Sequence, residues 1–266
     1  MATRKYLPYR RRQLGLRLRE LRLAAPEMTM GRAGELLAVT HQTISNMELG
    51  VHKVRKAELA LLLESYGADP TTRAALEDAR ARAERRDWWP SHGVPEWQWP
   101  CLDLETEAAA IRIVELDRIP VLLQTEVYAH ACGQPVEVAG ERQRRIFERE
   151  PRLQAILGEG ALRRLVGGPA GFAGQLAWLL KAPVELRVLP FEAGAHPAMA
   201  GGLTVFEFDE PGFPRQAFAE HPAGGALIDD PADADRADAV CDAVCDAALS
   251  VRKSRKLVES QLDQLR

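Results

Sequence analysis

The stretch that most constrains this chain runs over residues 39–50 and reads VTHQTISNMELG. Thr40 is a candidate N-cap, because its hydroxyl can accept from the free backbone N–H groups of a first helical turn. Ile44 and Met47 share one apolar face, and the opposite face is polar. Gly50 occupies the position of a C-cap glycine. The pattern predicts a short helix that buries one side, while its polar side could read base edges in a DNA major groove.

This stretch lies within a series of segments that show helical periodicity. Thr29 can cap the helix before it, and Thr71 or Asp69 can cap the last helix of the series. Together with residues 39–50 they predict an all-helical head, whose other helices span residues 10–25, 30–38, 56–66 and 71–86.

Over about its first quarter the chain resembles the phage-repressor-like (Xre) helix-turn-helix family. Met30 departs from the polar residue that the family usually has there, and Gly34 from the usual alanine. The matching residues are 18–22 (LRELR), 37–40 (LAVT), 43–45 (TIS) and 48–50 (ELG).

The resemblance implies roles for individual residues of the head. His41, Gln42 and Asn46 would contact bases, and Arg22 would pair with Glu48 to tie the first helix to the recognition helix. The implied phosphate contacts are Thr29, Arg32, Thr43, Lys53 and Arg55. The alternative is a small helical bundle whose polar residues are simply solvated.

The charge is distributed unevenly along the chain. Residues 1–86 hold 17 lysines and arginines against 10 aspartates and glutamates, a balance of +7. The remainder holds 18 against 28, a balance of −10. A basic head on an acidic body suits binding of double-stranded DNA by the head and argues against DNA wrapping over the body.

Cysteine spacing and hydropathy argue against metal-binding, cofactor-binding and membrane proteins. The cysteines Cys101, Cys132, Cys241 and Cys245 form no CxxC motif and no set with zinc spacing, so we expect no metal and no cofactor. Cys241 and Cys245 would share a helix face, where burial is favoured and a redox role stays open. The apolar runs are too short to span a bilayer, and residues 1–5 are basic without a following apolar segment. We therefore expect a cytoplasmic protein that does not contact a membrane.

Residues 87–102 differ in character from the flanking segments. They hold Trp88, Trp89, Trp97 and Trp99 together with three prolines, which exclude a continuous helix. We interpret them as a linker that packs onto the second domain, and an aromatic ligand cage is the alternative.

Residues 103–266 predict an α+β domain. Alternation predicts strands over residues 184–189, 203–208 and 216–220, and the turn at 209–212 favours a small antiparallel sheet. Helices are predicted from residue 103 through 115 and over 141–156, 161–166, 170–180, 233–248 and 254–265.

This second domain resembles the domain fused to Xre heads in actinobacterial antitoxin-like regulators of the WhiJ-like kind. Val121 departs from the family's usual glycine. The resemblance implies a small partner protein encoded nearby, and we assign Trp97, Gln124, Tyr128 and His196 as candidate contacts to a ligand or partner. The matching segments are 104–109, 119–125, 128–129, 159–164, 167–168, 175–176, 188–190, 194–196 and 218–220.

Catalysis is not expected, and we assign no catalytic residues. The chain has no Walker-type phosphate loop, no GxGxxG and no GxSxG. Glu159, Glu192, His196, Glu220 and His221 could in principle supply acid–base groups. The alternative is that His196 and His221, which flank strands near Gly and Pro, are solvated loop residues.

The sequence thus predicts a sequence-specific DNA-binding transcriptional regulator, with a body that binds a partner protein or a small molecule. Alternatives are an antitoxin-like scaffold that masks a small partner, and a ligand-binding or enzymatic body with a DNA-binding head. We also expect a homodimer held by the body, through the edge of the 184–220 sheet or the helix 254–265.

Overall fold

The computed structural model describes residues 6–210 and 212–266. The N-terminal basic residues 1–5 and Pro211 of the predicted turn lie outside the described residues. The chain folds into two compact units, which divide between Asp87 and Trp88. In the described part of the chain, no helix is both long enough and apolar enough to cross a membrane.

The first unit is helical, as predicted. Its helices are α1 (Tyr9–Ala24), α2 (Met30–Leu37), α3 (His41–Glu48), α4 (Lys56–Ser65) and α5 (Pro70–Ala83). The N-caps are local side chains: Thr29 Oγ1 accepts from Arg32 N at 3.2 Å, and Thr40 Oγ1 accepts from Thr43 N at 3.2 Å. The apolar faces of these helices meet in one core that includes Leu14, Leu18, Ile44, Met47, Leu59, Leu62 and Leu63.

The turn between α2 and α3 is tight. Ala38 ends α2 in the left-handed conformation, with φ of 53°. Gly34 is buried in α2, where an added Cβ would lie only 2.7 Å from Val39 O. The missing side chain at Gly34 therefore allows the chain to fold back closely into α3.

The second unit, from Trp88 onward, contains six strands and six α-helices among its described residues. The tryptophan-rich segment forms 3₁₀ helices at Trp89–His92 and Glu96–Gln98 and then enters α6. The strands are β1 (Ala110–Glu115), β2 (Arg152–Gly158), β3 (Glu185–Leu189), β4 (Leu203–Glu207), β5 (Gln216–His221) and β6 (Gly224–Ile228). The helices are α6 (Trp99–Glu107), α7 (Glu126–Ala131), α8 (Val136–Arg149), α9 (Gly168–Leu179), α10 (Pro231–Ala247) and α11 (Val251–Asp263).

The six strands form one mixed sheet in the order β3-β2-β1-β4-β5-β6. β1, β2 and β3 run parallel, whereas β4, β5 and β6 pair antiparallel, β4 joining β1. The prediction of an α+β unit is confirmed, but the prediction of an antiparallel sheet is wrong for half of it. Parallel neighbours need long crossovers, which α8 and α9 supply.

Helices cover both faces of the sheet and one of its edges. On one face, Ala237, Cys241 and Val244 of α10 pack against Val114 and Val205. Along the β3 edge, Val188 N donates to Ser254 Oγ at 2.9 Å, and Val188 O accepts from Leu249 N at 2.8 Å. The apolar stripe of α11 is buried in its own unit, since Val258 and Leu262 are 0% and 6% exposed. The β3 edge at Val188 and the Val258–Leu262 stripe of α11 are thus occupied within the chain, whereas Leu257, Gln261 and Leu265 of the same C-terminal segment are half-buried.

Candidate nucleic-acid interface

The α3 helix is held by its apolar side and leaves its polar side accessible. Ile44 and Met47 are almost fully buried, while His41 and Gln42 are exposed and Asn46 is half-buried. Gln42 Nε2 donates to Asn46 Oδ1 at 3.3 Å, so the two amides lie along one stripe of the helix. Each amide keeps a donor or an acceptor for a further partner, which is the chemistry that pairs with the edge of adenine.

A buried ion pair fixes the C-terminal end of α3 to α1. Arg22 Nε lies 2.5 Å from Glu48 Oε1, and Arg22 Nη2 lies 3.0 Å from Glu48 Oε2. The hydrogen bond to Glu48 raises the pKa of Arg22 against the opposing effect of burial. Burial raises the pKa of the neighbouring Tyr66 to about 12, and the Glu48 carboxylate adds to the shift. The contact orients α3 from its buried side.

Gly50 lies just after the C-terminal end of α3, at the position predicted for a C-cap glycine. Its φ is +75°, and an added Cβ would lie 2.8 Å from the backbone of Arg11. The chain therefore passes close to α1 before it opens into the loop that carries Lys53.

The five implied phosphate contacts lie in three places. Thr29 and Arg32 mark the start of α2, where Arg32 Nη1 lies 2.9 Å from Glu27 Oε2 in an exposed pair. The hydroxyl of Thr43 in α3 shares a hydrogen bond of 3.0 Å with that of Thr40. The exposed residues Lys53 and Arg55 belong to the loop after α3. Exposed pairs such as Arg32–Glu27 are weak, so Arg32 can exchange its partner for a phosphate.

Further basic groups were not assigned from the sequence. Arg11, His52 and Arg80 line one cleft beside Met47, together with Lys53, which the sequence did assign. Arg11 and Arg80 belong to α1 and α5, so only the fold brings them to the loop after α3. The run of arginines at residues 10–12 was the signal that could have found one of them.

In the second unit, two of the assigned ligand or partner residues are interior. Gln124 and Tyr128 are 3% and 0% exposed. Gln124 Nε2 donates to Ile119 O at 2.7 Å, and Tyr128 Oη accepts from Ile119 N at 3.0 Å. The structure therefore brings these two residues together on the backbone of the loop after β1.

The other two assigned residues lie elsewhere in the unit. Trp97 packs against the start of β6, where an added Cβ on Gly225 would lie 3.0 Å from its ring. His196 is half-buried in the loop between β3 and β4.

Two of the acid–base candidates, Glu159 and His221, already have hydrogen-bond partners within the chain. Burial opposes the ionisation of Glu159, but hydrogen bonds from Phe191 N and from Arg163 outweigh it and lower the pKa of Glu159. His221 Nδ1 accepts from Ala223 N at 3.2 Å. No group of three potential metal-binding side chains occurs in residues 6–210 and 212–266.

The cysteines fall into different environments. Cys101 and Cys241 are buried, Cys245 is half-buried and Cys132 is exposed, all as free thiols. Burial raises the pKa of Cys241 to about 12, which disfavours its reactive thiolate.

Comparisons with known families find one match within each of the two units. Residues 13–76 match a family described as "Helix-turn-helix domain". Residues 100–260 match a family described as "Domain of unknown function (DUF5753)". No curated protein and no solved structure matches the chain.

Proposed function

This chain belongs to the family of the "Domain of unknown function (DUF5753)", and from that premise we propose that it is a sequence-specific DNA-binding transcriptional regulator. In this proposal the helix-turn-helix unit is of the Xre kind and binds duplex DNA. The second unit, of the WhiJ-like kind, binds a partner protein or a small ligand and is not an enzyme.

The observation that carries the proposal is the anchored, accessible face of α3. The helix is anchored on its buried side by Ile44, Met47 and the Arg22–Glu48 pair. Its exposed polar side chains therefore lie on an already ordered backbone, which lowers the entropic cost of binding. Gln42 and Asn46 supply the base-reading amides, and Lys53 and Arg55 supply cations beside them.

DNA binding is tested with the full chain and fragments of its own promoter, by fluorescence anisotropy at several salt concentrations. We expect a binding constant that falls steeply with salt, because phosphate contacts release counterions. Gln42→Ala and Asn46→Ala should each weaken the specific complex by about 1–3 kcal/mol and leave binding to random DNA nearly unchanged.

Two variants control this experiment. Lys53→Ala should weaken specific and random complexes alike, because a phosphate contact carries no sequence information. Gln261→Ala, in α11 of the second unit, should change neither complex. Absence of any complex at low salt would overturn the proposed function, and an equal effect of Gln42→Ala on both DNAs would make Gln42 a phosphate contact.

A specific observation favours a partner protein for the second unit, as in an antitoxin-like scaffold. Four large apolar side chains there are at least half exposed: Val127, Leu165, Phe191 and Met199. All four follow the carboxyl ends of the parallel strands, either in loops or at the start of α7. Exposed apolar groups gathered at one end of a sheet are typical of a docking surface. Isolation of the full chain from its host tests this: a small protein should co-elute, and replacement of Phe191 by Ser should release it.

A further inference from the structure

The sheet of the second unit ends differently on its two sides. At one end, β3 is closed at Val188 by the chain that enters and forms α11. At the other end lies β6, whose only strand partner in the described residues is β5. Proteins commonly blunt an edge strand with a lysine, a proline or a covering helix. β6 reads GGALI and carries neither a charged residue nor a proline.

The hairpin geometry fixes which main-chain groups of β6 face outward. Only two residues separate His221 of β5 from Gly224 of β6, so these two form the hydrogen-bonded pair that closes the turn. Hydrogen-bonded and non-hydrogen-bonded pairs then alternate along an antiparallel ladder. Gly225 and Leu227 therefore direct their N–H and C=O groups away from β5. Within residues 6–210 and 212–266, no main-chain bond outside the sheet reaches either of them.

An aromatic side chain borders this open edge. A Cβ added to Gly224 would lie 3.7 Å from Trp97 Cγ, and one added to Gly225 would lie 3.0 Å from the same ring. Trp97 is half-buried, so part of its indole remains accessible, and Ala226 beside it is exposed. Trp97 was assigned from the sequence as a ligand or partner contact, and here it lies next to unpaired main-chain groups.

The surroundings of β6 are acidic. Residues 216–235 contain five aspartates and glutamates and no lysine or arginine. Asp229 and Asp230, which follow β6 directly, are exposed, and so is Glu96 in the 3₁₀ helix that carries Trp97. A second copy would bring the same negative charges to the edge, whereas a segment with lysine or arginine would complement them. Charge therefore favours a basic strand from another protein.

We propose that β6 binds an extended, basic segment of a partner protein, which joins the sheet as a seventh strand. The N–H and C=O groups of Gly225 and Leu227 pair with the main chain of the segment and supply affinity. Trp97 contacts one of its side chains, and Asp229 attracts a lysine or arginine, so these two supply specificity. The inference rests on the partner-binding role proposed for the second unit, but its site lies at the opposite end of the sheet from the strand that precedes Phe191.

The probe is a synthetic peptide, Lys-Thr-Val-Thr-Val-Lys with blocked ends, titrated calorimetrically into the full chain without DNA. We expect saturable binding, and slower amide hydrogen exchange at residues 225 and 227, because their N–H groups gain acceptors. The matched control peptide carries N-methyl groups on its four central residues and should not bind, since it keeps the charge but cannot donate. A peptide with glutamate in place of both lysines should bind at least several-fold more weakly.

Leu227→Pro tests the edge within the protein. Proline removes the outward N–H of residue 227 and none of the bonds to β5, which is the placement that edge strands tolerate. This variant should weaken peptide binding at least about tenfold. Leu227→Ala is the matched control, because it loses the side chain but keeps the N–H, and it should bind as the parent does. If Leu227→Pro does not fold, Ala226→Lys gives a second measurement, since its added charge should repel the basic peptide several-fold.

Three results would overturn the inference: no binding of the probe peptide up to about 1 mM, equal binding of the N-methylated peptide, or equal binding by Leu227→Pro and Leu227→Ala. Loss of a dimer in light scattering on Leu227→Pro would overturn it in favour of a second copy. Phe191→Ser should bind the peptide as the parent does. Anisotropy on the same samples separates the proposals, since intact DNA binding without peptide binding rejects only the added strand.

Discussion

At the scale of single residues, the Arg22–Glu48 pair is the contact on which the head most depends. Both side chains are at most 6% exposed, and they join α1 to the end of α3. Removing two charges from water is costly, and their bidentate contact offsets this cost only while both partners are present. A buried pair can therefore govern the orientation of the helix that is proposed to read DNA.

The pair is expected to show strong energetic coupling. Arg22→Ala or Glu48→Ala alone should lower the free energy of unfolding of the head by about 3–5 kcal/mol, because each leaves an uncompensated buried charge. The double variant should lose less than the sum of the two. Urea denaturation of the parent, the two single variants and the double variant measures this double-mutant cycle, with a spectroscopic signal from the head as the readout. The exposed Arg32–Glu27 pair is the control and should couple by about 1 kcal/mol or less. Additive losses at Arg22 and Glu48 would contradict the coupling.

Tyr66 predicts an alkaline sensitivity in the same unit. Burial, assisted by Glu48, raises its pKa from 10.0 to about 12. The folded state therefore holds its phenol proton more tightly than the unfolded state does. This contribution of about 2–3 kcal/mol is fully present below pH 10 and is lost as the pH rises from about 10 to 12. Tyr66→Phe should abolish this part of the decline in denaturation profiles. A variant with the same pH slope as the parent would refute the assignment.

At the scale of elements, the head was more predictable than the sheet. Thr29, Thr40 and Asp69 cap their helices through neighbours two or three residues away, so local sequence was sufficient to predict them. β1 and β2 were wrongly predicted as helical, because central parallel strands are apolar on both faces and do not alternate. In β2, Leu153 and residues 155–158 are all buried.

The charged cleft lined by Glu105, Arg142 and Glu220 was not predictable from the sequence for a different reason. These residues come from α6, α8 and β5, and nothing in their local patterns links them. The segments around Glu105, Gln124 and Glu220 were matched to a family in advance, but of these three residues only Gln124 was assigned as a ligand or partner contact. The role of Gln124 in holding the loop after β1 required the fold, since its hydrogen bond goes to a main-chain atom of Ile119.

Two glycines of α2 give a matched test of the helix-turn-helix packing. Gly34→Ala places a Cβ 2.7 Å from Val39 O and should destabilise the head by about 1–3 kcal/mol, because the turn must move. Gly31→Ala meets only Thr29 Oγ1 at 3.6 Å and should stabilise it by about 0.5–1 kcal/mol through helix propensity. Thermal unfolding of the two variants compares them directly. Stabilisation by both changes would show that the turn is looser than described.

At the scale of the whole molecule, the two units carry opposite net charges and separate cores. A single recognition helix reads few base pairs, so selection of a genomic site favours two copies on a two-fold site. We therefore expect a homodimer held by residues after Trp88. Since the β3 edge at Val188 and the Val258–Leu262 stripe of α11 are covered, we now favour the exposed residues Val127, Leu165, Phe191 and Met199 for this contact. A second copy would then compete with the partner protein proposed above for the same surface.

Light scattering on the 88–266 fragment tests the dimer. We expect a dimer at tens of micromolar for both the fragment and the full chain, and Phe191→Ser should shift both towards monomer. Gln261→Ala, on the surface of α11, is the control and should leave the mass unchanged. A monomeric fragment beside a dimeric full chain would place the contact in the head instead.

The closure of β3 by α11 has a consequence for how other chains can approach. Extended peptides commonly join a sheet by adding a strand, and they need unpaired main-chain groups along its border to do so. At Val188 both groups are already bonded, one to a serine hydroxyl and one to the chain entering the last helix. At this position β3 cannot template an incoming strand or the stacking that leads to fibrils. The chain that enters and forms the C-terminal helix thus also blocks self-association through this part of the β3 edge.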